Sequence, residues 1–505
     1  MKKTFKSIGA LLLGAIIFIS TPVSSMALDR SYTYNYDYWG DVQDCPDFYN
    51  VCRVFTASDL GMKDNFRAPE GVTVNGRYIY VSDTGNNRIV VLERDSEQTI
   101  TFVENRTSYK KDGESVDFVG PTDVAFGEDG SIFVADKGSQ QILKLDSNYN
   151  YLMSFTKPID ASVKDDANYN PDKIVVDTAG RVYCEASGIN QGLVKYENDG
   201  TFSGFVGATP VAFDFWLYIR KKFATQAQRD QMVSFVPTEY SNIYMDKEGF
   251  IYATCNSFEE QDLKDEKVDA VRKLNLLGSN ILVQNGEYPV YGDLYMGSGG
   301  GIEGPSRFVD VTVFDNDAYV CLDVNRGRLF GYNEQGNLLF AFGGNGNMDG
   351  YFRRPVALEH MGYDLLALDQ QDCAITLFVT TEFGNLVYNA IDQFDNGEYS
   401  ASGASWQQVM NQDGNYDLAY IGIGRALLRE KKYNEAREYF ELKYDDENYS
   451  KAFKQYRKEW VEDNIATIVI VVLALFLIPM IIGRVKDIRH EIDTADIFKY
   501  SKKED

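Results

Sequence analysis

Residues 69–93 read PEGVTVNGRYIYVSDTGNNRIVVLE. Pro69 opens the stretch, Val72 and Val74 alternate across a short strand, and Asn75-Gly76 supplies a turn. A second strand, Ile79 to Val81, ends at Asp83, and a Gly85 turn leads to a third strand from Arg88. Period-two alternation broken by turn residues predicts antiparallel strands. The pattern recurs at Pro121 (PTDVAFGEDGSIFVADKGSQQILKLD) and more loosely at Pro171, Pro237, Pro305 and Pro355, with anchors 52, 50, 66, 68 and 50 residues apart. Strands repeating at that period predict the four-stranded blades of a β-propeller, and six copies predict six blades.

The first copy resembles the NHL repeat, through Pro69, Gly71, Val72, Val74, Ile79, Tyr80, Val81, Asp83, Thr84, Gly85, Asn86, Arg88 and Ile89. The resemblance is close in blades one and two and loose in three and four, where Ala186 and Cys255 replace the Asp. It implies a mainly β, six-bladed propeller over residues 66–381. NHL-type propellers include binding scaffolds, lyases and lactonases, so function must be argued from the site. Blade six runs out near Thr381 one strand short, and Tyr49 to Ser58 reads as a strand ahead of blade one. We expect that N-terminal strand, within segment 28–65, to close the ring.

From Glu382 the period becomes helical. Gly424, Leu427, Leu428, Tyr433, Ala436 and Phe440 resemble a tetratricopeptide (TPR) helix pair, and Ala390, Tyr399, Ser402 and Trp406 repeat it thirty-four residues earlier. A small all-α, TPR-like domain is therefore expected over 382–463, packed on the propeller or on a partner. Ile465 to Gly483 is apolar and uncharged for 19 residues, which predicts a transmembrane helix at 464–483 with Arg484, Lys486 and Arg489 on the cytoplasmic side and a tail at 484–505. Lys2, Lys3 and Lys6, the apolar run Ile8 to Ile19 and Ser25-Met26-Ala27 read as a signal peptide over 1–27. Together these predict a single-pass plasma-membrane protein with its N-terminal ectodomain outside.

Composition excludes some activities. The net charge of -25 disfavours a nucleic-acid partner, and two His in the chain, His360 and His490, disfavour a His-rich zinc site. In an exported chain Cys45 and Cys52 could close a disulfide; Cys184, Cys255, Cys321 and Cys373 read as buried apolar side chains. Arg220, Lys221 and Lys222 form a basic cluster in the long gap after blade three, and SYTYNYDYWGD at the mature N-terminus alternates Tyr with polar residues in a form suited to stacking on sugars. The Asp83, Asp136, Asp323 and Asp369 series, repeated once per blade, predicts a turn role.

Ligands of propellers tend to bind where loops converge on the central channel, which selects the residues after each anchor: Glu70, Asp123, Asp172, Lys173, Glu239, Asn242, Arg307 and Asp310. Their carboxylates and Asn suit Ca²⁺ or another divalent metal, whereas Lys173 and Arg307 oppose a cation and suit an anionic or polyhydroxylated ligand. The favoured expectation is a membrane-anchored extracytoplasmic scaffold without a cofactor, binding a membrane or cell-surface protein or a glycan. Its alternative is a lactonase-like, metal-dependent hydrolase or lyase acting in the channel.

Overall fold

The computed structural model describes residues 33–95, 99–160, 163, 166–189, 191–207, 240–265, 267–296 and 304–501, with side chains to 494. The signal-peptide reading, Glu239 and the Arg220–Lys222 cluster lie outside them. Six antiparallel sheets form the ring. Blade 1 comprises Gly71–Asn75, Tyr78–Asp83, Arg88–Arg94 and Ile100–Arg106. Blades 2 and 3 begin with inner strands Pro121–Phe126 and Asn170–Val176 and likewise have four strands each. Blade 4, from Tyr240–Met245, has three among the described residues. Blade 5, from Phe308–Val313, is widened to six strands by an N-terminal hairpin, Tyr34–Tyr36 with Val42–Asp44.

Blade 6 is made from both ends of the chain. Its strands Pro355–Met361, Asp364–Asp369 and Ala374–Thr380 are completed by Tyr49–Thr56, which pairs antiparallel with the last of them from Ala374↔Thr56 to Thr380↔Tyr49. The closing strand expected from the sequence is therefore present, and the ring has no free edge at that blade. Phe55 is fully buried in the core shared by blades 1 and 6.

The repeated Asp has a physical role. Asp83 Oδ1 accepts from the Arg67 amide at 2.7 Å, Asp136 from Val119 at 2.8 Å, Asp323 from Arg307 at 2.8 Å, and Asp369 Oδ2 from Arg353 at 2.7 Å. Each carboxylate thus ties the end of its second strand to the chain entering the same blade. In blades 1 and 2 the glycine two residues later is required by close approach: a Cβ on Gly85 would sit 2.4 Å from the Arg67 carbonyl, and on Gly138 2.3 Å from that of Val119. In blade 1 the Arg88 guanidinium also pairs with Asp83 at 2.7 Å, both side chains buried.

Five helices follow among the described residues: Glu382–Asp395, Tyr399–Gln412, Asp417–Arg429, Tyr433–Leu442 and Asp446–Ser501. The first four are two antiparallel pairs. Ser402 and Trp406 are buried in the first pair, and Ala436 and Phe440 occupy the same places in the second. They pack on the propeller rather than standing clear of it. Phe383, Val387, Tyr388, Trp406 and Tyr416 share one core with Phe48, Phe340 and Phe342 of blades 5 and 6. Tyr388 stacks on Tyr363 at 4.3 Å, its hydroxyl meets that of Tyr49 at 2.8 Å, and the Tyr363 hydroxyl donates to Asp392 at 2.7 Å. The fifth helix is long and apolar enough to cross a membrane, and its apolar stretch is exposed among the described residues. No disulfide joins Cys45, which is buried, to Cys52, which is exposed. Cys184, Cys255 and Cys321 are buried and Cys373 is half-buried.

Candidate functional site

The inner strands carry a repeated irregularity that positions the site. Pairing with the second strand shifts between Pro121 and Asp123, Pro171 and Lys173, Tyr240 and Asn242, Phe308 and Asp310, and Pro355 and Ala357. One extra residue in each of blades 2 to 6 is thereby pushed out of the ladder at the channel entrance. Asp172, Ser241, Val309 and Val356 are such residues, and with Glu70 of blade 1 they line a cavity of about 840 Å³ where all six blades converge.

Three cations at or below this mouth are held by backbone or a carboxylate. Lys173 is buried and crosses from blade 3 to donate to the Glu70 carbonyl of blade 1 at 2.9 Å. Lys137 of blade 2 pairs with Asp172 of blade 3. The Arg307 guanidinium donates to the carbonyls of Asn256 and Phe258, the latter at 3.0 Å, and lies over the Phe258 ring. Arg354 adds an exposed cation to the rim.

Asp123, Asn242 and Asp310 lie below the rim and are buried. Asp123 Oδ2 accepts from the Ile174 amide at 2.9 Å, and Asp310 Oδ2 from the Leu358 amide at 2.6 Å, so each carboxylate staples its inner strand to that of the following blade. Asn242 Oδ1 accepts from the Ile243 amide at 2.7 Å. Burial pushes both carboxyls up, Asp310 to about 8, with the Lys173 ammonium pulling the other way. Of the eight residues selected from the sequence, Glu70, Asp172 and Lys173 line the mouth; Asp123, Asn242, Asp310 and Arg307 serve its framework; Glu239 lies outside the described residues.

The sequence reading missed Lys137, Glu185, Asn256 and Gln370, which also line the mouth. Three of these directly follow the last residue of a second strand: Lys137 after Asp136, Asn256 after Cys255, Gln370 after Asp369. The position also bridges blades: the Gln370 amide donates to the Pro69 carbonyl at 3.2 Å and the Thr84 hydroxyl to that of Pro121 at 2.7 Å. The residue after the repeated Asp was the signal available. At the other end of the inner strands Thr312 Oγ1 meets His360 Nδ1 at 2.6 Å, and Glu359 lies 3.3 Å from the same nitrogen.

Among the described residues one group of three metal-type ligands converges, Asp246, Glu248 and Asp317, outside the channel mouth. The Lys273 ammonium already sits there, 3.0 Å from Asp246 and 3.3 Å from Asp317.

With this geometry in hand, comparison with known proteins adds one positive finding. Residues 66–92 match the NHL repeat. The chain is therefore a six-bladed β-propeller carrying an NHL repeat in its first blade. No curated protein matches it. Solved structures similar to it include a streptogramin B lyase (12% identity, TM-score 0.39, covering 66% of this chain and 98% of that one). Virginiamycin B lyase from Staphylococcus aureus is 13% identical with a TM-score of 0.34, covering 59% and 76%. The PQQ-bound aldose sugar dehydrogenase from Streptomyces coelicolor is 11% identical with a TM-score of 0.36, covering 66% and 98%. At these identities and scores the likenesses carry no argument about activity.

Proposed function

We propose that this chain is a membrane-anchored extracytoplasmic scaffold whose propeller mouth binds a membrane or cell-surface protein. The observation that carries the reading is the state of the mouth's charges: Lys173, Lys137 and Arg307 are each held by a carbonyl or a carboxylate across a blade boundary. A rim fixed in this way offers a rigid, patterned surface, which suits recognition of a preformed partner. The N-terminal leader exports the chain, the apolar C-terminal helix anchors it, and Arg484, Lys486 and Arg489 place the tail in the cytoplasm. The paired short helices, read as TPR-like, fix the propeller to the membrane helix.

The contact among Thr312, His360 and Glu359 is a poor catalytic relay. Thr312 and Glu359 meet the same ring nitrogen, so the imidazole cannot pass a proton from one to the other, and Thr312 is fully buried. Asp123 and Asp310 beside the channel are committed to backbone amides.

Brief cross-linking of the full-length protein in its native membrane, detergent extraction and mass spectrometry test the proposal. A stoichiometric partner retained by the wild type and lost by Arg354→Glu, a rim change that leaves the fold intact, is the expected result. Recovery of the same partners by both proteins counts against the mouth as the binding surface. A rise in melting temperature on adding Ca²⁺, reversed by EDTA, would instead favour the metal-dependent alternative.

A further inference from the structure

A second cavity, about 870 Å³, lies away from the channel, between the N-terminal hairpin, the loop at 285–294, the turn at 335–338 of blade 5 and the last helices. Its size is that of a small-molecule or oligomer site. We propose that this cleft binds a neutral oligosaccharide, independently of what the channel mouth engages.

Three rings stand at its rim. Tyr38 and Trp39 come from the hairpin turn and Tyr444 from the link just before the final helix; Tyr38 lies 5.0 Å from each of the other two, and Trp39 and Tyr444 are 6.1 Å apart. Trp39 is 72% exposed and Tyr444 57%. Large aromatic faces left in water are the exception on a folded surface; here Tyr38 and Tyr444 are tilted by 35° and Trp39 stands edge-on to them, at 87° and 61°, so the cluster presents more than one face. The backbone that carries these rings is held. Asp37 Oδ1 accepts from the Trp39 amide at 2.8 Å and the Asp41 amide at 2.9 Å, and the Tyr288 hydroxyl donates to the Tyr38 carbonyl at 2.8 Å. Tyr444 is held at φ 58°, just after a helix end, where glycine or asparagine is the usual occupant. An aromatic side chain is thus kept in place against the preference of its own backbone.

The walls select the ligand class. Gln335, Asn337 and Gln455 contribute planar amides, Glu287 a carboxylate and Arg429 a guanidinium. Lys443 pairs with Asp417 at 2.5 Å and Lys451 with Glu447 at 2.6 Å, while Asp37, Asp445 and Asp446 add carboxylates and Arg425 a second guanidinium, six acids to four bases in all. A wall of amides and carboxylates beside clustered, exposed rings suits a ligand with apolar C–H faces and a hydroxyl edge, which is the chemistry of a pyranose chain. Its excess of two carboxylates opposes an anionic ligand.

The test applies detergent-solubilised full-length protein to an array of plant, fungal and bacterial-wall glycans, followed by titration of each hit while tryptophan fluorescence is read. The expected result is binding of at least one neutral oligosaccharide with a change in emission. Trp39→Ala should weaken it at least about tenfold. Tyr444→Asn, which the backbone accommodates, should weaken it likewise without lowering the melting temperature, while Arg354→Glu at the channel mouth leaves it unchanged. Absence of binding across the array, or binding undiminished in both cleft variants, overturns the proposal. Loss of binding in Arg354→Glu alone assigns the sugar to the channel mouth and overturns it equally.

Discussion

Asp83 shows why one residue type recurs through this sequence. Its two oxygens close the entry to blade 1 and neutralise a buried Arg88. Asp83→Ala would leave that guanidinium buried without a counter-charge and should cost about 3 kcal/mol or more in urea unfolding. Gly85→Ala should cost about 2 kcal/mol, since its Cβ would meet the Arg67 carbonyl at 2.4 Å. These residues were legible in the sequence because their roles are local. Asp310 differs: its position after the anchor Pro predicts the channel, but its depth and its bond to Leu358 depend on the next blade. Burial raises it from 3.8 to about 8, so the folded chain holds this proton more tightly than the unfolded one. Its contribution to stability is complete below the lower value and lost as pH rises to the upper. Asp310→Asn removes the titration but keeps only one of the two acceptors that the Val311 and Leu358 amides use, so it starts from a lower melting temperature at acid pH. Its melting temperature should therefore gain on the wild type between about pH 5 and pH 8, as a pH series of thermal melts would read.

At the scale of elements, the strand Tyr49–Thr56 joins two ends of the chain more than three hundred residues apart. Phe55→Ala should destabilise the whole propeller by roughly 3–4 kcal/mol, seen as a single shifted transition rather than the loss of one blade. The closing strand was legible because blade 6 lacked one and an unassigned strand preceded blade 1. The inner-strand bulges were not, because a bulge is a mismatch between two partners and leaves no mark on either alone. They decide which side chains reach the channel mouth, so the candidate site came out only in part: Glu70, Asp172 and Lys173 reach it, whereas Lys137 and Gln370 enter from a turn the repeat displays but does not explain. The six-stranded blade 5 was equally hidden. Its added strands are three residues each and are held by tertiary bonds from the Tyr34 and Tyr36 hydroxyls to Asp293, at 2.6 and 2.8 Å.

For the whole molecule, the shared core of blades 5 and 6 with the paired helices joins propeller and helices in one unit. Chains ending at residue 463 should keep that core and move from the membrane pellet to the aqueous fraction, as carbonate extraction would show. The feature with the widest reach is the last helix, which runs without interruption from Asp446 through the apolar segment to Ser501. Its first 19 residues, before Ile465, span about 28 Å. On the membrane-anchored reading proposed above, they act as a mast of fixed height and fixed azimuth, so the propeller faces one direction and works in one plane above the bilayer. Two residues inserted into the mast would swing the face by about 200° while raising it only about 3 Å, and eighteen would restore the heading at about 27 Å greater height. Heading and altitude can therefore be varied separately, and whichever change silences the protein in cells reveals whether its partner sits beside it or above it.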